Sequence, residues 1–157
     1  MKLTIKDLAN DMSCGGVPFE TARNRVSYYA TEGLIVFKRS GPNTAPNLYT
    51  PETSAVAMIL SALTDMGVAD TELLREVATN SYMAMDRCLA GLARNESWYL
   101  SVNVFRHDLG VMHAVRLLRD DQVDPVLPAV TIRGAMVVVL DELLLPVVRR
   151  LNPRAAH

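Results

Sequence analysis

The sequence predicts an α+β protein, a helical head with one short hairpin followed by a small body of sheet and helix. Three observations carry this. Apolar residues recur at helical spacing through most of the first 92 positions and are interrupted by glycine-bearing stops. A polar, Gly- and Pro-rich loop at residues 40–46 separates two β-prone runs. From Trp98 onward the period changes to two.

The elements run in order along the chain. Thr4 is placed to cap a first helix, with Asp7 three residues on and Ile5, Leu8 and Ala9 on its apolar face. Ser13-Cys14-Gly15-Gly16 breaks that helix, and Pro18 opens a second. In the second helix Phe19, Ala22, Val26, Tyr29 and Ala30 point inward, and Gly33 ends it in a left-handed turn. Leu34-Ile35-Val36-Phe37 reads as a strand, with Lys38 and Arg39 behind it and Asn47-Leu48-Tyr49 as its return. Helix, turn, helix and basic hairpin make a winged helix-turn-helix order.

Thr50-Pro51-Glu52 starts the next helix, and Gly67 ends it. Asp70 or Thr71 caps a further helix that can run on to Leu92 past a weak point at Asn80-Ser81. Residues 98–105 alternate as a strand. His107-Asp108-Leu109-Gly110 reads as a turn and residues 111–118 as a second strand. Residues 120–125 form an acidic loop and residues 127–133 a third strand. Residues 135–151 read as a closing helix, apolar on most faces and therefore buried. The expected division is a winged-helix head at 1–78, an α+β body at 79–151 and a tail at 152–157.

Composition narrows the function. Half of the residues are hydrophobic and 21% are charged, which places the chain among globular proteins rather than disordered ones. Residues 1–50 carry six bases against four acids, and the remainder carries ten against thirteen. A mildly basic head on an acidic body suits a polyanion at one end. Cys14 and Cys88 stand far apart and make neither a disulfide framework nor a metal clamp. The N-terminus lacks the apolar run of a signal peptide, and residues 135–148 are too interrupted to span a bilayer. A cytoplasmic protein with no membrane partner is expected. His107, Asp108 and His113 have no metal-ligand spacing. There is no nucleophile with a neighbouring base, no phosphate loop and no paired catalytic carboxylates, so neither an enzyme nor a cofactor is expected.

Four segments together resemble the MerR family of bacterial transcription regulators. They are Leu3-Thr4-Ile5-Lys6-Asp7-Leu8-Ala9, then Val26-Ser27-Tyr28-Tyr29-Ala30-Thr31-Glu32-Gly33-Leu34-Ile35, then Asn47-Leu48-Tyr49-Thr50-Pro51-Glu52, and lastly Leu63-Thr64-Asp65-Met66-Gly67 with the helix start behind it. They are similar to the family's opening helix, its Tyr-Tyr recognition helix, its wing-closing Tyr and its turn between two helices. The link at residues 12–18 is longer than the family's. Asn24 and Ser27 stand where the family carries arginines, with Arg23 and Arg25 beside them. The family's long dimer helix and sensor cysteines have no counterpart after Leu92.

The resemblance implies sequence-specific binding of double-stranded DNA by a homodimer that controls transcription, with RNA polymerase as a further partner. On a helical wheel Thr21, Asn24, Arg25 and Tyr28 face outward. Asn24 has the groups to read adenine, Arg25 to reach guanine or phosphate, and Tyr28 to donate to a phosphate. Arg23 and Ser27 share that helix. Lys38 and Arg39 at the wing base suit backbone phosphates, and Tyr49 either donates to a phosphate or packs the hairpin. A solvated helix face and a charge-guarded edge strand are the plain alternatives. The dimer is expected in the body, through the apolar closing helix. Two other functions fit a similar head: an excisionase-like architectural DNA-binding protein, and a MerR-like interaction module without DNA binding.

Overall fold

The computed structural model describes residues 1–39, 41, 45–107, 110–122 and 131–153. The chain is an α+β protein of helices and two small antiparallel sheets. Helix α1 (Ile5–Cys14) starts at a complete capping box. The Thr4 hydroxyl accepts from Asp7 N, and Asp7 Oδ2 accepts from Thr4 N at 2.8 Å. Helix α2 (Phe19–Thr31) begins after Pro18. Gly33 leaves it with φ +67°, a left-handed conformation that costs glycine nothing.

That turn redirects the next segment. The Leu34 and Ile35 amides donate back to the Tyr29 carbonyl, at 2.8 and 3.3 Å, and both side chains enter the core. The strand expected at 34–37 therefore does not form. The hairpin is β1 (Lys38–Arg39) against β2 (Asn47–Leu48), with Lys38 opposite Leu48. Beyond it Tyr49 pairs with Leu3 through two backbone hydrogen bonds, of 2.9 and 2.8 Å, so the N-terminal segment closes the hairpin's base. Ser40 and residues 42–44 of the expected loop lie outside the described residues.

Helix α3 (Pro51–Asp65) is buried along almost its whole length and forms the centre of the molecule. Helix α4 (Thr71–Leu92) is capped by Asp70, whose carboxylate accepts from the Glu72 and Leu73 amides. It passes Asn80-Ser81 without a break, so residues 78 and 79, on either side of the expected domain boundary, are consecutive within one helix. One continuous core runs from Leu3 to Val148.

The second sheet has the order β4-β3-β5, all antiparallel, from β3 (Trp98–His107), β4 (Gly110–Arg119) and β5 (Thr131–Val139). Leu100 and Val102 lie opposite Leu117 and Val115 on one side and Val138 and Met136 on the other, which makes a single apolar face joined to the core around α4. A register shift between Val104 and Phe105 moves β5 by one residue. At the corner between α4 and β3 the Trp98 indole lies over Gly91. A Cβ there would come within 2.3 Å of the indole nitrogen.

The closing helix expected over 135–151 is corrected. Residues up to Val139 are strand, and only then come two short helices, α5 (Leu140–Leu143) and α6 (Leu145–Leu151). Val137-Val138-Val139 is β-branched throughout and suits a pleated strand better than a helix. Met136 and Val138 turn toward the core, whereas Val137 and Val139 turn out. The third strand expected at 127–133 thus lies later, at Thr131–Val139; residues 127–130 are outside the described residues, as are Asp108, Leu109, residues 123–125 of the acidic loop and residues 154–157 of the tail. Asp141 Oδ1 accepts from Trp98 N at 2.8 Å and ties α5 to the start of β3. Among the described residues no helix is long and apolar enough to cross a membrane.

Candidate nucleic-acid interface

The outer face of α2 presents Thr21, Arg23, Asn24, Ser27 and Tyr28 to solvent. It borders a groove of about 450 Å³, which Thr21, Asn24 and Tyr28 line on one side and Thr64, Val68 and Leu74 on the other. The groove exists because α2 crosses the end of α3 and the turn that leads into α4. Thr21 and Asn24 make no side-chain hydrogen bond among the described residues. Their polar groups therefore remain available, as base-edge contacts require.

The other residues of this helix are engaged internally. Ser27 donates its hydroxyl to the Arg23 carbonyl at 3.0 Å, one turn back. Arg23 stands 3.8 Å from Glu20, with both side chains largely in water. The Tyr28 hydroxyl lies 3.4 Å from the Thr71 hydroxyl, and its ring meets Tyr29 edge-on. Tyr29 is buried with its hydroxyl 3.1 Å from Thr64 Oγ1, and burial pushes its pKa up.

Arg25 departs most from expectation. Its side chain is only 20% exposed and turns onto α3. One guanidinium nitrogen donates to Ser61 Oγ at 2.6 Å and another to Asp65 Oδ1 at 2.7 Å. The hydrogen bond to Asp65 pushes the pKa of the Arg25 guanidinium up. A long side chain beside buried Val26 reaches inward as easily as outward, which a helical wheel does not register.

At the hairpin Lys38 and Arg39 are exposed as expected. They rim a hollow of about 610 Å³ together with Lys2, Val36 and Phe37. Lys2 escaped the sequence reading. It reaches this place through the Leu3–Tyr49 bridge, which joins residues 46 positions apart and has no local signal. Tyr49 packs the hairpin, one of its two expected roles: it is 2% exposed and lies against Phe37 at a ring-centroid distance of 6.0 Å. Its ring is a piece of the hairpin's base and lines the same hollow.

Elsewhere Cys14 is exposed, and burial pushes the Cys88 thiol up to about 12. His113 Nδ1 lies 3.3 Å from Glu76 of α4. Among the described residues no group of three His, Cys, Asp or Glu side chains is placed to hold a metal. No family model, curated protein or solved structure matches the chain.

Proposed function

We propose that the chain is a sequence-specific DNA-binding regulator of transcription, acting as a homodimer in the cytoplasm with no chemistry of its own. One observation supports this most: the uncommitted side chains of Thr21 and Asn24 stand on an exposed helix face in a head whose hairpin gathers Lys2, Lys38 and Arg39. Amide and hydroxyl groups read base edges, and cations grip the backbone on either side. Arg23, Ser27 and Tyr28 flank the reading surface. Arg25 supports it from behind by fixing α2 on α3, and RNA polymerase is the further partner where the site lies in a promoter.

A duplex selected from a random pool tests the reading. Asn24→Ala should weaken that duplex by about 1–3 kcal/mol and leave random DNA unchanged. Lys38→Ala with Arg39→Ala should weaken both alike and flatten the salt dependence by about one counterion for each phosphate that is no longer gripped. Equal loss on both duplexes for Asn24→Ala removes base reading from α2.

A second reading has its own observation. Arg23 and Arg25, the two cations of α2, each face a carboxylate, Glu20 and Asp65. A helix face so balanced also suits a protein partner. Binding to random duplex DNA that does not fall with salt favours this module over the regulator.

A further inference from the structure

The hairpin pairs Lys38 with Leu48 and Arg39 with Asn47. A two-stranded ribbon so short is marginal by itself, so its position is set by whatever holds its two ends. On the β2 side the Leu3–Tyr49 bridge does so. On the β1 side both backbone polar groups of Val36, two residues before Lys38, are taken by side chains. The Val36 N–H donates to the Tyr82 hydroxyl of α4 at 3.2 Å, and the Val36 carbonyl accepts from the Thr53 hydroxyl of α3, also at 3.2 Å. Tyr82 and Thr53 are hydrogen-bonded to each other as well. A closed ring of polar groups thus grips this residue by its backbone, while its side chain is 60% exposed.

Tyr82 does not act on α4 alone. Thr71, Arg75 and Tyr82 follow one another at intervals of four and seven, which puts them on one face of the helix. The Thr71 hydroxyl lies 3.4 Å from that of Tyr28, and an Arg75 guanidinium nitrogen donates to the Glu32 carbonyl at the end of α2, at 3.4 Å. One face of α4 therefore touches α2 near the helix start and the entry to the wing about 17 Å further on.

We infer that Tyr82 is a positioning residue for DNA: through Val36 it fixes the wing cations Lys38 and Arg39 relative to the outer face of α2. The inference rests on the proposed function and deepens it. A helix that reads bases and a wing that grips phosphates engage one duplex together only when their separation matches it. A continuous helix keeps that separation, which a two-pair hairpin does not do unaided. Tyr82 itself touches no DNA.

Tyr82→Phe in the full chain removes one hydroxyl and keeps the ring, so circular dichroism should be unchanged. Without DNA, the Val36 amide should exchange its hydrogen about tenfold faster, as one lost hydrogen bond implies. The Leu34 amide, bonded to the Tyr29 carbonyl, should keep its rate. On random duplex DNA the affinity should fall severalfold, and the salt dependence should flatten by about one counterion. The decisive arm is a cycle. In a background of Lys38→Ala with Arg39→Ala, losing the hydroxyl should change DNA binding no further, whereas a residue that only stabilises the fold weakens binding equally in both backgrounds. A Val36 amide that exchanges as in the wild type, or a loss of affinity that persists without the two wing cations, overturns the inference. A wild-type chain that binds no duplex overturns the regulator itself, and the amide rates then report the grip on the wing separately.

Discussion

Two joints between helices use the same three residue types. At one, Arg150 of α6 bonds Asp11 of α1, whose other oxygen accepts from Ser54 of α3 at 2.7 Å. At the other, Arg25 of α2 bonds Asp65 and Ser61, both of α3. They differ in where the carboxylate sits. The Asp11 side chain is 4% exposed and that of Asp65 55%. Water competes for Asp65 and screens it, while Asp11 depends on its two partners. Exposure, rather than the number of bonds, therefore sets what each joint is worth. The buried joint fastens the C-terminal helix to the head. The exposed one fastens α2 to α3.

The sharpest way to break the comparison is to take one partner from each ion pair. Arg150→Ala leaves the buried Asp11 carboxyl held by Ser54 alone. It should cost about 3–5 kcal/mol in denaturant unfolding. Asp65→Ala should cost only about 0.2–1 kcal/mol. That smaller loss should shrink further at high salt, whereas the Arg150→Ala loss should hardly move. Similar costs for the two variants would mean that burial is not what separates the joints.

A third, smaller effect lies on the exposed flank of the buried joint. The Thr4 backbone N–H and hydroxyl, with Arg150 behind them, hold the Asp7 carboxyl below the usual aspartate range. A carboxylate whose pKa is lowered on folding adds stability above its unfolded pKa and loses it as pH falls through the folded one. The wild type should therefore lose stability more steeply below the ordinary aspartate range than Asp7→Asn does. Parallel acid limbs for the two proteins would remove Asp7 from the account.

What could be read from the sequence depended on how far apart the partners are. Thr4 with Asp7, Asp70 with its two amides, and Gly33 at the end of α2 act within a few residues, and each is where local pattern puts it. Asp11 and Arg150 meet across 139 positions, Arg25 and Asp65 across 40, and neither pairing leaves a local trace. The run 135–151 misled for another reason. A segment apolar on most faces has little period, so strand and helix look alike until β-branching is weighed at Val137–Val139. In the candidate interface the exposure of Thr21 and Asn24 followed from the wheel. The inward reach of Arg25 did not, because a wheel places Cβ atoms and not guanidinium groups.

The corner where α4 gives way to β3 has a practical consequence. Gly91 leaves room there for the indole of Trp98, the chain's one tryptophan. The protein thus carries an optical reporter of its own at the point where sheet docks on helix. Its emission answers to that docking and not to the distant hairpin, while the far-ultraviolet dichroism tracks the helices. Heating the protein and watching both signals tells whether the sheet leaves first or, as one continuous core requires, everything lets go together.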